Sequence, residues 1–225
     1  MSQTAAFFDV GGTLIKTYVW NGLMEFFKIN GQRRLTHIAF WAYHAPLYLV
    51  HKIGLLSQDA VRTPWAKNLS WFFRGYSVEE AHAIWDWIVE EYLADQWRED
   101  AIAALRHHKA EGVVIAIVSA GPLPLITRIA QEVGADHVVA TPHEIKDGRY
   151  TGRVGGEVCI GPNKPKFARA KMEELGLDID YAASYAYGDS PGDKVLFDLV
   201  GNPVAVHPDD ILRPIAEEHG WKILD

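Results

Sequence analysis

Five residues of this chain have types and positions that suit phosphoryl chemistry. Asp9 follows the apolar run Ala5 to Phe8 and precedes Gly11-Gly12-Thr13. A carboxylate at a strand end could attack phosphorus, or share a divalent cation with other oxygen ligands. Gly12 and Thr13 would leave backbone N–H groups free to face an anion. A turn cap is the plainer role for the same Asp. Ser119 closes the apolar run Val113 to Val118. Its hydroxyl and the N–H of Ala120 could hold a phosphate oxygen where a helix starts, or simply cap that helix. Asp189 and Asp193 lie in Tyr-Gly-Asp-Ser-Pro-Gly-Asp (187–193). Two acids four residues apart on such a loop suit a hard cation with water completing its octahedron, although these residue types also make turns. Lys164, in Gly-Pro-Asn-Lys-Pro-Lys (161–166), would offset the charge of nucleophile and phosphate, and Lys166 competes with it for that task.

Strand ends must position these residues. Residues 4–10 read as a short buried strand and 113–118 as a buried parallel strand, preceded by a helix that stops at Gly112. A helix over about 123–133 and a strand at 137–141 follow. Asp147-Gly148 reads as the turn of a hairpin. A helix at about 165–175, a strand from Ala182 to Tyr187, a helix at about 192–200, a strand at 203–206, and a terminal helix with a last short strand complete the series. Strands alternating with helices imply an α/β doubly wound parallel sheet, whose ligands gather at the carboxyl ends of the strands. Between them, about Thr17 to Gln96 is helical in pattern. Its clearest helix opens with a Ser77/Glu80 capping box and carries Ala81, Ile84, Trp85, Ile88 and Tyr92 on one face. The expected organisation is a core of residues 1–16 and 98–225, split by a helical insertion at 17–97.

In order and spacing, Asp-Val-Gly-Gly-Thr-Leu, Val-Ser-Ala, a Lys and Tyr-Gly-Asp-Ser-Pro-Gly-Asp resemble the four motifs of the haloacid-dehalogenase-like superfamily. The phosphoserine-phosphatase-like branch is the nearest likeness. The segments Asp147 to Gly152 and Gly201 to Val206 share it, whereas residues 17–97 match only in length and helicity. The resemblance implies a Rossmann-like core with a helical cap closing over the site. It implies Asp9 as nucleophile and Mg²⁺ ligand, Ser119 and Lys164 on the phosphoryl group, Asp189 on the metal with Asp193 in support, and a small phosphorylated substrate. It also marks a departure. Phosphatases of that family carry a second Asp two residues after the nucleophile, as general acid and base, and this chain has Gly11. A glycine keeps the carbonyl that would ligate Mg²⁺ and loses the carboxyl, a loss of about 10²–10⁴-fold in rate. A hydrolase of activated phosphates or one using an acid from the cap, a phosphotransferase, and a binding or regulatory protein without turnover all follow from that change. Carbon–halogen cleavage fits less well, because attack on carbon needs no metal.

Composition narrows the partners. A net charge of −7 gives no footprint for nucleic acid or an anionic membrane, local patches aside. The single Cys159 excludes an internal disulfide and suits a reducing, cytosolic setting, and no secretory signal is read at the start. The longest apolar run, Ile38 to Val50, is too short to span a bilayer. Aromatic residues crowd 17–97. They could form the core of a small bundle, a pocket for an apolar substrate part, or a face touching membrane. His37, His44 and His51 recur every seven residues, about 10 Å apart on a helix and too far to share an ion; they are expected at the rim of the cap, with Pro46 breaking the helix between them.

Overall fold

A computed structural model describes residues 2–225, with the backbone alone at position 59. In chain order the strands are β1 (Ala5–Phe8), β2 (Val114–Pro122), β3 (His137–Thr141), β4 (His143–Lys146), β5 (Arg149–Val154), β6 (Tyr185–Gly188), β7 (Asn202–Val206) and β8 (Lys222–Leu224). The helices are α1 (Val19–Ile29), α2 (Arg34–Lys52), α3 (Gln58–Asn68), α4 (Val78–Trp87), α5 (Glu99–Ala110), α6 (Leu123–Val133), α7 (Asn163–Glu174), α8 (Lys194–Phe197) and α9 (Leu212–Glu218).

Six strands form one sheet in the order β3-β2-β1-β6-β7-β8, and every neighbouring pair is parallel. Both faces are covered, so β1 is apolar at each position. Ala5 and Phe7 pack into one cluster with Val118, Met172 and Leu196. Ala6 and Phe8 pack into the other with Ile117, Leu125 and Trp85. This is the period-two alternation of a doubly wound sheet. The chain turns to one side of β1 for β2 and β3 and to the other for β6, β7 and β8. β1 is therefore the switch point, and the crevice beyond its carboxyl end is the natural ligand site.

Helices α1 to α4 lie between β1 and α5, and the two chain crossings meet: Ile15 bridges Trp97, and Lys16 N–H donates to the Gln96 carbonyl at 2.7 Å. The Ser77/Glu80 capping box is formed. Strands β4 and β5 make a separate antiparallel pair, whose turn has positive φ at Asp147 (52°) and Gly148 (72°), the geometry of a type I′ hairpin.

Three expectations require correction. Pro46 does not break its helix: α2 runs through it from Arg34 to Lys52. Pro46 is exposed, so water can satisfy the carbonyl that its missing N–H leaves free. His44 is not at a rim but fully buried, beside Phe40 and Trp65, with its Nε2 3.2 Å from Asn68 Nδ2. The helix expected at about 192–200 is a 3₁₀ turn (Pro191–Asp193) followed by only four α-helical residues.

Candidate active site

The strand register brings the sequence-separated residues together. Phe8 pairs with Ile117 of β2 and with Tyr187 of β6, so Asp9, Ser119 and Asp189 all emerge within two residues of one row across the sheet. Asp9 N–H still donates to the Tyr187 carbonyl, at 3.0 Å, which fixes its backbone before the chain turns away. Asp9, Ser119, Lys164, Asp189 and Asp193 are all buried. Burial of so many ionisable groups is costly unless they are paired.

Lys164 does the pairing. It sits in the first turn of α7 and its Nζ donates to Asp9 Oδ1 at 2.8 Å and to Asp193 Oδ1 at 2.6 Å. Burial opposes its charge, but the Asp193 and Asp9 carboxylates outweigh that and hold its pKa above the usual lysine value. Lys166 takes no part. Two residues apart on a helix means about 200° of rotation, and Lys166 Nζ binds Glu157 Oε2 at 2.7 Å on the surface.

The acids differ in their company. Asp193 Oδ2 accepts from the N–H groups of Asp189 and Ser190, each at 3.3 Å, and from Ser190 Oγ at 3.2 Å. With Oδ1 on Lys164, both its oxygens are engaged, so it organises the loop and the lysine. Asp189 Oδ1 accepts from the buried Thr13 hydroxyl at 3.1 Å. Thr13 thus meets the acidic loop. Burial first, then the Asp9 and Asp193 charges, push Asp189 up to about 8. Asp9 is raised to about 6 by burial, against the opposing pull of Lys164.

Oxygens of Asp9, Asp189 and Asp193 lie within 4.8 Å of one another. Three buried carboxylates facing a single ammonium leave excess negative charge, and all-oxygen donors suit a hard divalent cation such as Mg²⁺. The site therefore fits a metal. Gly12 is needed beside it: its φ is +84°, and a Cβ there would stand 2.2 Å from Asp189 Oδ2. Ser119 Oγ accepts from Gly121 N–H at 3.2 Å, and the Ala120 carbonyl accepts from Thr141 Oγ1 at 2.7 Å, which pins the bulged end of β2.

Sequence reasoning missed three residues. Tyr18, just before α1, occupies the space beside Gly11: a Cβ at residue 11 would stand 2.7 Å from Tyr18 Cδ1. The phenol is half-exposed. Burial of its remainder, then the Asp189 charge, raises its pKa, with Arg62 pulling the other way. Arg62, on α3, reaches the acidic loop, where a Cβ at Gly192 would meet its Nη1 at 2.6 Å. Tyr18 lies nine residues after Asp9 but outside its motif, and Arg62 lies far from every acidic residue of the site; no local pattern singles them out. Arg98 is a third unforeseen support, its Nε donating to the Gly12 carbonyl at 2.8 Å.

Known proteins resemble this chain in sequence and in fold. Residues 6–197 match the family model described as haloacid dehalogenase-like hydrolase. A phosphoserine phosphatase of Mycobacterium tuberculosis is 31% identical over 227 residues, covering 98% of this chain and 70% of that protein. A histidinol-phosphatase of Neisseria meningitidis is 30% identical over 234 residues, covering 99% of each. The crystal structure of a Bordetella pertussis protein has a TM-score of 0.86 at 26% identity, covering 100% of this chain and 99% of that one.

Proposed function

The chain belongs to the haloacid dehalogenase-like hydrolase family, and we propose that within it the protein is a Mg²⁺-dependent phosphatase that works through an aspartyl-phosphate at Asp9. The observation that carries this reading is the bridge of Lys164 Nζ between Asp9 Oδ1 and Asp193 Oδ1, with an Asp189 oxygen close by. That bridge holds one oxygen of Asp9 in place and leaves the other for attack.

A Mg²⁺ ion held by Asp9, Asp189 and the Gly11 carbonyl, with Asp193 ordering the loop, would offset the charge of the carboxylates and phosphoryl oxygens. The protein groups supply the rest. Asp9 attacks phosphorus, forming the O–P bond of the acyl phosphate while the bond to the leaving oxygen breaks. Lys164, Ser119 Oγ and the Ala120 N–H meet the phosphoryl oxygens, where charge must be held in a dry site; the N–H groups of Gly12 and Thr13, expected to face the anion, are instead taken by the Ile15 carbonyl at 2.8 Å and the Val10 carbonyl at 3.2 Å. Water then attacks the same phosphorus, returning the Asp9 carboxylate and releasing phosphate.

Gly11 decides which substrates suit this cycle. No carboxyl extends from residue 11, and the Tyr18 ring stands in its place. An alkoxide leaving group needs a proton, whereas an acyl phosphate leaves as a carboxylate without one. Small or amphiphilic phosphorylated metabolites with stable leaving groups are therefore the favoured class. Simple esters turn over slowly unless the Tyr18 hydroxyl, at the edge of the inserted helices, supplies the proton. Phosphoserine and histidinol phosphate, suggested by the relatives, are the esters to compare.

The test is phosphate release from acetyl phosphate and from these esters with Mg²⁺, for the natural chain, Gly11→Asp and Gly11→Asp/Tyr18→Ala. The natural chain should favour acetyl phosphate. The double variant should gain about 10²-fold on the esters, and Gly11→Asp alone less, because its Cβ meets the tyrosine ring. Silence of all three proteins on every substrate would overturn the hydrolase reading.

A further inference from the structure

Helix α2 is apolar on two opposite sides, and the fold uses only one. Phe40 and His44 are buried against the neighbouring helices. Roughly opposite them, at 100° per residue, lie Leu35 (81% exposed), Ile38 (65%), Leu49 (64%) and Ile53 (70%). They form a stripe about 27 Å long at 1.5 Å per residue, flanked by exposed Trp41, Tyr48 and Leu55. A helix apolar all round is normally enclosed by protein or lipid, and a patch of this extent marks an interaction site.

Charge identifies what covers it. From Phe26 to Gln58 there is no Asp or Glu, while Lys28, Arg33, Arg34 and Lys52 lie within that span. The chain as a whole carries −7, so its remaining residues carry eleven net negative charges. The positive patch coincides with the apolar stripe, Arg34 at one end of the helix and Lys52 at the other. Beside the Arg34 end, a cavity of about 280 Å³ is lined by Phe27, Lys28, Gln32, Arg34, His37 and Ile38. Its lining carries the Arg34 guanidinium on an apolar floor, with the Lys28 ammonium paired to Glu25 at 3.0 Å at its edge. Tryptophan and tyrosine are the side chains that favour the boundary between lipid tails and water. No helix among the described residues is long and apolar enough to cross a membrane, so α2 would lie in the surface.

We propose that the α2 face docks on an anionic lipid bilayer, Leu35, Ile38, Leu49 and Ile53 entering the acyl boundary and Arg34 and Lys52 meeting lipid phosphates. A second copy of the chain fits less well, because pairing α2 with α2 would bring two positive patches together. Apolar area and basic charge add in this mode of binding, and salt weakens the second contribution. The proposal is independent of turnover at Asp9.

Flotation of the full chain with vesicles tests it, using phosphatidylcholine alone and phosphatidylcholine with phosphatidylglycerol. The chain should float with the anionic vesicles at low salt, with a blue shift of tryptophan fluorescence. Flotation should fall several-fold on pure phosphatidylcholine, in 0.5 M salt, in Ile38→Glu/Leu49→Glu and in Arg34→Glu/Lys52→Glu. All four side chains are solvent-exposed, so the variants should keep the natural thermal midpoint, which is measured alongside. Failure to float with anionic vesicles at low salt, or equal flotation of folded variants, overturns the proposal. So does concentration-dependent dimerisation in sedimentation that Ile38→Glu/Leu49→Glu abolishes, since the stripe would then be covered by a second copy.

Discussion

At the scale of single residues, the site is a balance between three buried acids and one buried ammonium. Asp9 and Asp189 are raised to about 6 and about 8, mainly by burial, above the value near 4 expected in the unfolded chain. Folding therefore takes up protons at these groups. Their stabilisation is complete below pH 4 and is lost as pH rises through 6 and then 8. Metal-free protein should accordingly lose thermal stability between about pH 4 and 8, and Asp189→Asn should flatten that fall. Saturating Mg²⁺ should raise the midpoint most at the alkaline end, where the carboxylates are ionised to receive it. Thermal melts across that range, with chelator or with Mg²⁺, check this; a natural chain and Asp189→Asn with parallel profiles would contradict it. Lys164 is the hinge of the same balance, because removing it would leave Asp9 and Asp193 buried without their counter-charge.

At the scale of elements, the inserted helices are held to a hairpin, and two of them contain a proline, Pro46 in α2 and Pro64 in α3. The β4–β5 hairpin is latched to them by Gly75 N–H on the Tyr150 carbonyl (2.7 Å) and Tyr150 N–H on the Tyr76 carbonyl (2.9 Å). The Ser70 hydroxyl on the Gly152 carbonyl (2.7 Å) completes the latch. Arg149 adds an ion pair to Glu80 at 3.0 Å, exposed and so of small value. Pro46 leaves an intrahelical bond unmade within a helix that remains continuous. Pro46→Ala should restore that bond and stabilise the protein by about 1–3 kcal/mol. Urea unfolding measures it, and a loss of stability would mean that the proline is needed for α2 to keep Phe40 packed on Phe72.

At the scale of the whole molecule, helices and sheet share one apolar cluster. Phe8, Val10 and Ile117 of the sheet side pack in continuity with Phe27, Phe40, Phe72 and Trp85 of the inserted helices. No polar layer separates them, so the two parts should unfold together. Seven of the eight tryptophans lie between Trp20 and Trp97, which makes tryptophan fluorescence a reporter of the helical part. Its melting curve should coincide with far-ultraviolet circular dichroism of the whole chain. An earlier fluorescence transition would show that the helices open first and that the shared cluster does not couple them.

The order of strands and helices, the residues at their ends and the hairpin at Asp147-Gly148 were legible in the sequence. Each depends on local features: apolar runs long enough for a buried strand, glycines at positive φ, a capping box. The short α8 and the continuous α2 were not legible, because packing and solvent access overrode local preference at Pro46 and after Asp193. Nor was the company each site residue keeps. Lys164 meets Asp9 across 155 residues, and nothing local distinguishes it from Lys166. Tyr18 stands beside Gly11, and Arg62 reaches Gly192 from α3, through contacts that no local pattern announces. The amino-acid order set which chemical groups stand at the strand ends. The tertiary structure decided which of them touch and how deeply they are buried, because pairing and desolvation arise from contacts between segments far apart in the chain.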